Sequence, residues 1–424
     1  MTYDEALCFI NSIPAFGKVP GRMETLLDMM GRPHERLRFI HVAGTSGKGS
    51  ICAMLSHILC EAGYKTGLYI SPYIVEFRER IQVSGEMIPQ DDLTALVQWA
   101  RPFYDEMSRR GLPVTMFELV AAMAFEHFRR EQCDIAVLEV GMGGLYDSTN
   151  VIGTPLVSVI GSIGIDHSQY LGNTIGEIAL HKCGIIKRGG VTVSYPRQRP
   201  EALAVIKGRC AEEGNPLLIP ADAEIVKTGA HGSDIIWGGM PVHIPLAGGH
   251  QVLNALTALE AVRALGHTSM KVTKQNIADG MAKVKFPARF EIIGDSPAVI
   301  LDSAHNFDKL RSLADTLPLL KSRKIHGVIA MMSDKTDVPA SLGQILPLME
   351  SVTATTVPGW RRAFPPEKLA GICRTMHGKV HYRDTPEDAF AHAVSLCKDG
   401  DAVLVCGSMY IMTSLRPIAL ARVT

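Results

Sequence analysis

Residues 41–50 constrain the fold of this chain more than any other stretch, because their sequence, HVAGTSGKGS, places glycines, a lysine and hydroxyls between two regular patterns. An apolar run at 37–42 precedes them, and apolar residues at helical spacing follow over 51–59. A strand, a glycine turn and a helix N-terminus in this order direct backbone N–H groups toward one point, which suits a phosphate. Lys48 would add a charge near the outer phosphates, and Ser50 a hydroxyl near a magnesium ion.

The loop differs from the usual phosphate-binding pattern, in which four residues separate the first glycine from the Gly-Lys pair. Here Thr45 and Ser46 alone separate the first glycine from the Gly47–Lys48 pair, and Gly49 intervenes before the hydroxyl. A glycine turn without a ligand is the alternative interpretation. The lysine and the hydroxyl favour a nucleotide site.

Continuous apolar runs at 135–140 and 156–160 are typical of central parallel strands, which are buried on both faces. Helical patterns at 90–109 and 116–130 lie between such runs. Strands that alternate with helices predict a doubly wound α/β sheet, with ligands at the carboxyl ends of the strands. We therefore expect an ATPase domain of the phosphate-loop type.

A second domain is predicted after residue 290. Shorter, β-rich pieces occupy 190–245, and the character changes again at 286–290. Strand-like runs then alternate with helical stretches; the runs are 297–301, 327–331 and 402–405. We expect residues 1–290 to form the ATP-binding domain with the acid pocket, and residues 291–424 a smaller Rossmann-like α/β domain that completes the site.

Composition excludes several classes of partner. The 43 basic and 43 acidic residues balance, so nothing argues for nucleic acid or an anionic membrane surface. The nine cysteines form no CxxC pair, which favours free thiols in a reducing compartment. No uncharged apolar run approaches 18 residues, and Asp4 and Glu5 argue against a leader. We expect a cytoplasmic protein without a membrane span.

Two residues at the ends of apolar runs, Glu139 and His167, are candidate metal ligands, and Lys182 is a third unusual residue. Glu139 is an acid in an apolar strand, which is costly unless it is paired or binds a metal, and glycines follow it. His167 also comes just after an apolar run, although a lone histidine is more often a core residue. Lys182 lies in largely apolar surroundings, and its residue type alone indicates a structural role.

Taken together, these stretches resemble the folylpolyglutamate synthases and dihydrofolate synthases of the Mur ligase superfamily. The resemblance spans nearly the whole chain in the family's order. The matching stretches are HVAGTSGKGS (41–50), SPYIVEFRERI (71–81), TMFE (115–118), EVGMGGLYDSTN (139–150), SIGIDHSQYLG (162–172), HKCGIIK (181–187), GGHQVLNALTAL (248–259), FPARFE (286–291), DSAHN (302–306), SDK (333–335) and VCGSMY (405–410).

The resemblance implies an ATP-dependent amide ligase. ATP would phosphorylate the carboxylate of a reduced folate or of dihydropteroate, and the amine of L-glutamate would then attack the acyl phosphate. The implied small-molecule partners are these acids and L-glutamate, with no nucleic acid and no membrane, and the chain would be a monomer.

The resemblance also implies roles for individual residues. Magnesium would be held by Ser71, Glu139 and His167, and a carbamylated Lys182 would hold a second magnesium, which reverses the structural interpretation of that lysine. ATP contacts would come from Thr45 to Ser50 (Thr45, Ser46, Gly47, Lys48, Gly49, Ser50) and from Asn254, Arg289 and Asp302. The pterin wall would consist of Thr115, Phe117, Asp147 and Ser148, with loop 16–22 and the segment after Ser71 closing over it. The expected catalytic residues are Lys48, Lys182 and His305.

Four positions depart from the family's pattern. The family usually has Asn at Ser46, Gly at Ser303 and a more acidic residue at His181; these changes are mild or local. Leu145 stands where the family usually has Arg, which removes a cation beside the acid pocket. Two alternatives therefore stay open: a related ligase with another carboxylate or amine substrate, and a nucleotide-binding protein that has lost catalysis.

Overall fold

The computed structural model describes residues 1–14, 17, 21–321, 323–333, 337–360 and 362–423. Its first part contains the following elements in chain order: α1 (Tyr3–Ser12), α2 (Arg22–Met29), β1 (Phe39–Ala43), α3 (Lys48–Glu61), β2 (Thr66–Tyr69), β3 (Ile81–Val83), β4 (Glu86–Met87), α4 (Gln90–Arg109), α5 (Met116–Arg130), β5 (Ile135–Glu139), β6 (Val157–Ile160), α6 (Ser168–Leu171), α7 (Ile175–Lys182), β7 (Val191–Ser194), α8 (Pro200–Glu212) and β8 (Leu217–Leu218).

The remaining elements begin with three strands that form a separate antiparallel sheet. They are β9 (Glu224–Gly229), β10 (Gly232–Trp237), β11 (Met240–Ile244), α9 (Gly249–Ala264), α10 (Lys274–Ala282), β12 (Glu291–Ile293), β13 (Ala298–Leu301), α11 (Phe307–Thr316), β14 (Ile325–Ile329), α12 (Val338–Gly343), β15 (Ser351–Ala354), α13 (Pro366–Arg374), β16 (Val380–Tyr382), α14 (Pro386–Leu396), β17 (Ala402–Cys406) and α15 (Met412–Leu420).

The first sheet has the order β4-β3-β2-β5-β1-β6-β7-β8 and is parallel from β2 to β8. Its central strand β1 is buried along its whole length. Ile40 and Val42 pack on one face with α3, α9 and α10, whereas Phe39 packs on the other with α1, α4 and α5. Since side chains alternate along a strand, a strand that is apolar throughout requires helices on both faces. The predicted doubly wound α/β fold is confirmed.

The second sheet has the order β12-β13-β17-β14-β15-β16, with β12 antiparallel and the others parallel. One face packs against α11, α12 and α13, and the other against α14 and α15. This three-layer arrangement is the predicted Rossmann-like fold. The exact domain boundary at residue 290 stays a prediction.

The two sheets, each with its packed helices, meet at the carboxyl ends of the strands in the first sheet. Ile74, which follows Ser71 at the end of β2, is buried among residues of the second sheet, and its carbonyl accepts a hydrogen bond from Thr413 Oγ1 at 3.0 Å. The segment after Ser71 therefore connects the first sheet with the packed core of the second. Most of loop 16–22 lies outside the described residues, as do two residues of the 333–335 stretch. Among the described residues, no helix has the length and apolarity needed to cross a bilayer.

Candidate active site

The loop after β1 is shaped by close contacts that only glycine allows. Gly47 has φ 83° and precedes α3, and a Cβ atom on it would lie 2.3 Å from Asn254 Oδ1. A Cβ on Gly49 would lie 2.7 Å from the Phe286 ring. The loop is tied to the neighbouring strand end by Thr45, whose N–H donates to the Ser162 carbonyl at 2.8 Å. The N-terminus of α3 therefore faces an open space bordered by Asn254.

Two lysines share one carbonyl at this loop. Lys48 Nζ lies 3.2 Å and Lys182 Nζ 3.0 Å from the Gly44 oxygen. Lys182 ends α7 and is almost fully buried. Burial lowers its pKa to about 7, and the nearby charge of Lys48 adds to the effect. The loop is therefore positively charged before any anion binds.

Glu139 ends β5 opposite Lys48. Its Oε2 accepts a hydrogen bond from the Ser71 backbone N–H at 3.0 Å, and its Oε1 lies 4.0 Å from Lys48 Nζ. Burial raises the pKa of the Glu139 carboxyl, which the charge of Lys48 opposes. A buried carboxylate with one hydrogen bond and a cation at that distance is incompletely compensated, and it suits an additional bound cation.

The glycine run after Glu139 lets two segments pack closely. A Cβ on Gly144 would lie 2.7 Å from the His181 carbonyl oxygen, so this run packs directly against the end of α7. His167 adopts φ 53° at the start of α6, in the left-handed region that few residues other than Gly occupy and that Asn, Asp and His enter most often. It also borders the cavity described below.

Asp147 is held by three donors. Its Oδ2 accepts from Met142 N at 2.9 Å, and its Oδ1 from Thr149 N at 3.0 Å and Thr149 Oγ1 at 2.6 Å. Since Thr149 gives its hydroxyl hydrogen to the carboxylate, the Thr149 oxygen accepts from His41 Nε2 at 2.8 Å. Burial lowers the pKa of His41 to about 3, so this histidine is neutral. The three residues hold the Asp147 carboxylate at the cavity wall.

The rest of this wall comes from the start of α5. Thr115 caps the helix and accepts a hydrogen bond from Glu118 N, while the Glu118 carboxylate accepts from Thr115 N and Oγ1, both at 2.7 Å. The Phe117 ring packs against Gly141, where a Cβ would lie 2.6 Å from the ring. Phe117 therefore presents an aromatic surface beside the glycine run.

The opposite side of the cavity belongs to the second sheet and the segment before it. Asp302 follows β13 and accepts from Phe290 N and Ala304 N, both at 2.8 Å. Arg289 donates to the Ser303 hydroxyl, and its guanidinium lies 4.9 Å from the centre of the Phe286 ring. Burial raises the pKa of Asp302, against the charge of Arg289.

These segments enclose one cavity of about 2180 Å³. Every predicted site residue lines it: Thr45, Ser46, Gly47, Lys48, Gly49, Ser50, Ser71, Thr115, Phe117, Glu139, Asp147, Ser148, His167, Lys182, Asn254, Arg289, Asp302 and His305. Leu145 also lines it, with 40% of its surface exposed.

Some residues of the cavity were not found from the sequence. Arg22 is buried and donates to Glu118 at 3.0 Å and to the Gly17 carbonyl at 2.6 Å, although 96 residues separate the charged pair. No local pattern reveals such a pair. Lys309 also lines the cavity, and its position in an ordinary helical stretch carries no motif.

Comparison with known families identifies the class. The Mur ligase middle domain family matches residues 42–262, and the Mur ligase glutamate ligase domain family matches residues 288–409. The phosphate loop belongs to the first match, and Asp302 and His305 to the second. The chain is an ATP-dependent ligase of the Mur ligase superfamily.

Individual relatives narrow this class. The chain is 35% identical to the folylpolyglutamate synthase of Lacticaseibacillus casei over 98% of each chain. It is 32% identical to the dihydrofolate synthase/folylpolyglutamate synthase of Bacillus subtilis, again over 98% of each. The chain therefore belongs to the folylpolyglutamate synthase and dihydrofolate synthase family.

Solved structures agree with this assignment. The Mycobacterium tuberculosis folylpolyglutamate synthase complexed with ADP and AMPPCP superimposes with a TM-score of 0.89, at 29% identity and 98% coverage of both chains. An FPGS–AMPPCP–folate complex superimposes with a TM-score of 0.86, at 33% identity, covering 99% of this chain and 100% of the other.

Proposed function

We propose that this chain adds L-glutamate to the carboxylate of a reduced folate, with dihydropteroate as a second acceptor. The proposal rests above all on one observation: a single cavity contains the phosphate loop, the buried Glu139 and the wall around Asp147. The family relatives and the complex with AMPPCP and folate support it.

The reaction needs activation because a carboxylate is a poor acylating agent. Transfer of the terminal phosphoryl group of ATP to a carboxylate oxygen forms an acyl phosphate and ADP. The amine of glutamate then attacks the carbonyl carbon, and phosphate and a proton are released as the amide forms. Lys48 and the loop N–H groups hold the phosphates, while Asn254, Arg289 and Asp302 hold the rest of the nucleotide. His305 lies beside the phosphates.

Magnesium fits the donor set around Glu139. Ser71, Glu139 and His167 would hold the ion, which supplies positive charge against the phosphates when bound. Among the described residues, no cluster of three His, Cys, Asp or Glu side chains is placed to hold a metal. The set proposed for the first ion contains two such side chains and a serine hydroxyl, and the second ion depends on a modified Lys182.

The environment of Lys182 supports the proposed carbamylation. Carbon dioxide reacts with a neutral amine, and a pKa of about 7 leaves much of Lys182 neutral near pH 7. The product is a carboxylate, which would relieve the repulsion between Lys182 and Lys48 and would offer oxygen ligands to a second magnesium.

The pterin end of the acid would lie against Asp147. Three donors hold this carboxylate, and the remaining lone pair on Oδ2 accepts an N–H group from a heterocycle. Phe117 offers an aromatic face, and Thr115 and Ser148 offer polar groups on the same wall. We expect loop 16–22 and the segment after Ser71 to close over it.

Leu145 favours the second candidate, a ligase with a different acid substrate. An exposed apolar side chain stands at the cavity where the family usually carries a cation. Leu145→Arg should raise turnover with folates if the position is a local weakness. Unchanged or lower turnover would favour another acid.

The experiment for the proposed function measures phosphate release from ATP and magnesium with L-glutamate, comparing tetrahydrofolate, dihydropteroate and no acid. We expect glutamate-dependent release with a pterin acid and a product heavier by one glutamyl residue. Release with neither acid, from protein that binds ATP, would contradict the proposal. A monomeric state and a cytoplasmic location stay predictions, and size-exclusion chromatography with light scattering tests the first.

A further inference from the structure

The first turn of α11 is fixed across the cleft. Asn306 caps this helix and accepts a hydrogen bond from Lys309 N at 3.0 Å. The amide nitrogen of Asn306, Nδ2, donates to Asp166 Oδ2 at 2.9 Å, and Asp166 lies on the side of the first sheet. Lys309 therefore sits in a helical turn whose position relative to the first sheet is set by a hydrogen bond.

Packing continues from this turn to the phosphate loop. A Cβ on Gly164 would lie 2.0 Å from Asp308 Oδ2, so Asp308 rests against the Gly164 backbone. Gly164 in turn donates to Thr45 Oγ1 at 3.1 Å, and its carbonyl oxygen lies 3.0 Å from the same hydroxyl. Gly164 thus contacts both the phosphate loop and the first turn of α11, so Lys309 lies in a turn that packs beside the segment holding the loop.

The Lys309 ammonium is oriented by a histidine. His305 Nδ1 lies 2.8 Å from the Ser303 carbonyl oxygen, which can only accept, so Nδ1 carries the hydrogen. Nε2 of the neutral ring is then an acceptor, and Lys309 Nζ donates to it at 3.1 Å. Both side chains line the cavity. Lys309 Nζ therefore lies at the cavity surface, hydrogen-bonded to the His305 ring.

Lys309 is the third residue of α11 and therefore lies in the first turn of this helix. A cation in the first turn of a helix is unfavourable with the helix dipole. A nearby anion would remove that cost.

We propose that Lys309 is a phosphate-binding residue, whose ammonium leaves His305 and binds the terminal phosphate of ATP. During transfer the bond from the terminal phosphorus to the bridging oxygen of ADP breaks, and a bond to the carboxylate oxygen of the acid forms. Lys309 stabilises the charge on the transferring group from the side of the second sheet. The catalytic part rests on the proposed ligase function, whereas the phosphate contact requires only ATP binding.

The test compares binding of Mg–ADP and Mg–AMPPCP by calorimetry, because only the second carries a terminal phosphate analogue. Lys309→Met should weaken AMPPCP binding at least tenfold and leave ADP binding within twofold. Lys309→Arg should retain most of the AMPPCP affinity. With substrates, kcat of Lys309→Met should fall by about 10². Arg311→Met is the matched control, because it removes an exposed cation from the same helix.

Equal changes for the two nucleotides in Lys309→Met, or no change in either, would overturn the proposal. So would an AMPPCP-selective loss of the same size in Arg311→Met. Lys309→Gln, which keeps a donor for His305 without the charge, separates charge from structure if the Met variant melts early. A selective AMPPCP loss in a chain that ligates no glutamate would support the Lys309 contact and reject only the proposed function.

Discussion

At the scale of single residues, two lysines meet at one carbonyl oxygen beside a buried carboxylate. Lys48 and Lys182 both donate to the Gly44 carbonyl oxygen, which can compensate neither charge. Glu139 lies opposite with a single backbone hydrogen bond. The buried charges of such a site are poorly compensated by the protein alone, and a nucleotide and a cation that bind together would compensate them.

Replacing Lys48 tests the phosphate assignment. Lys48→Ala should lower turnover by about 10² or more, because a preorganised charge at the phosphates is lost. Lys65→Ala is the control, since Lys65 forms an exposed pair with Glu131 at 2.7 Å and lies away from the cavity. Steady-state phosphate release measures both variants. Activity of Lys48→Ala within tenfold of wild type would make the nucleotide assignment wrong.

Replacing Lys182 tests the carbamate. Lys182→Ala should lose nearly all turnover, and formate or acetate in the assay should restore part of it, because a small carboxylate would occupy the space of the carbamate. The same acids should not rescue Lys48→Ala. Full activity of Lys182→Ala without any acid would reject the carbamate.

At the scale of elements, the first turn of α11 must dock on the segment after β6. Gly164→Ala would place a Cβ 2.0 Å from Asp308 Oδ2, so the Asp308 side chain or the helical turn that carries it must shift. We expect kcat to fall at least tenfold with little change in melting temperature. Adding Asp308→Ala should recover much of the loss. Gly208→Ala in α8, where a Cβ meets nothing within 4 Å, is the control. Unchanged kcat in Gly164→Ala would show that this docking is not needed.

The amino-terminal ends of strands β14 and β17 in the second sheet hold a group whose ionisation affects stability, Asp401. Asp401, before β17, accepts from Lys398 N at 2.8 Å and lies 3.4 Å from His326 Nε2. The backbone hydrogen bond, aided by His326, lowers the pKa of Asp401. A lowered carboxyl pKa contributes stability above the ordinary pKa of about 4, which is lost at lower pH.

Asp401→Asn should therefore destabilise the chain by about 1–3 kcal/mol at pH 7. Urea denaturation at each pH gives the free energy of unfolding of both proteins. The difference between the variant and the wild type in this free energy should stay constant from pH 8 to pH 5 and become smaller below about pH 4. Asp399→Asn, an exposed neighbour, is a suitable control. A difference that already narrows at pH 6 would contradict the assigned contacts.

Elements with strong local signals could be predicted from the sequence. The structure has α4 and α5 at the predicted residues 90–109 and 116–130, because long amphipathic patterns and the Thr115–Glu118 capping box mark them. Helix α8 was missed within the β-rich interpretation of 190–245. Its signal was weak but present, with Pro200 in the first turn and buried residues at 202, 206 and 210. Strand β1 begins two residues later than predicted.

At the scale of the whole molecule, residues that follow strands of both sheets line one cavity. Glu139 could be predicted because it ends an apolar strand and strand ends meet at one edge of a sheet, whereas Asp302 was implied only by the family resemblance. Contacts made through tertiary packing could not be predicted. Arg22 with Glu118, and Lys309 with His305, depend on how distant segments are brought together, and no local periodicity encodes that.

The central claim is that the acid is activated as an acyl phosphate. The most direct measurement supplies tetrahydrofolate or dihydropteroate labelled with ¹⁸O in the carboxylate, together with ATP, magnesium and L-glutamate, and analyses the released phosphate by mass spectrometry. One labelled oxygen in each phosphate is expected, because the carboxylate oxygen that accepts the phosphoryl group leaves with it. Unlabelled phosphate formed alongside the glutamylated product would contradict this mechanism.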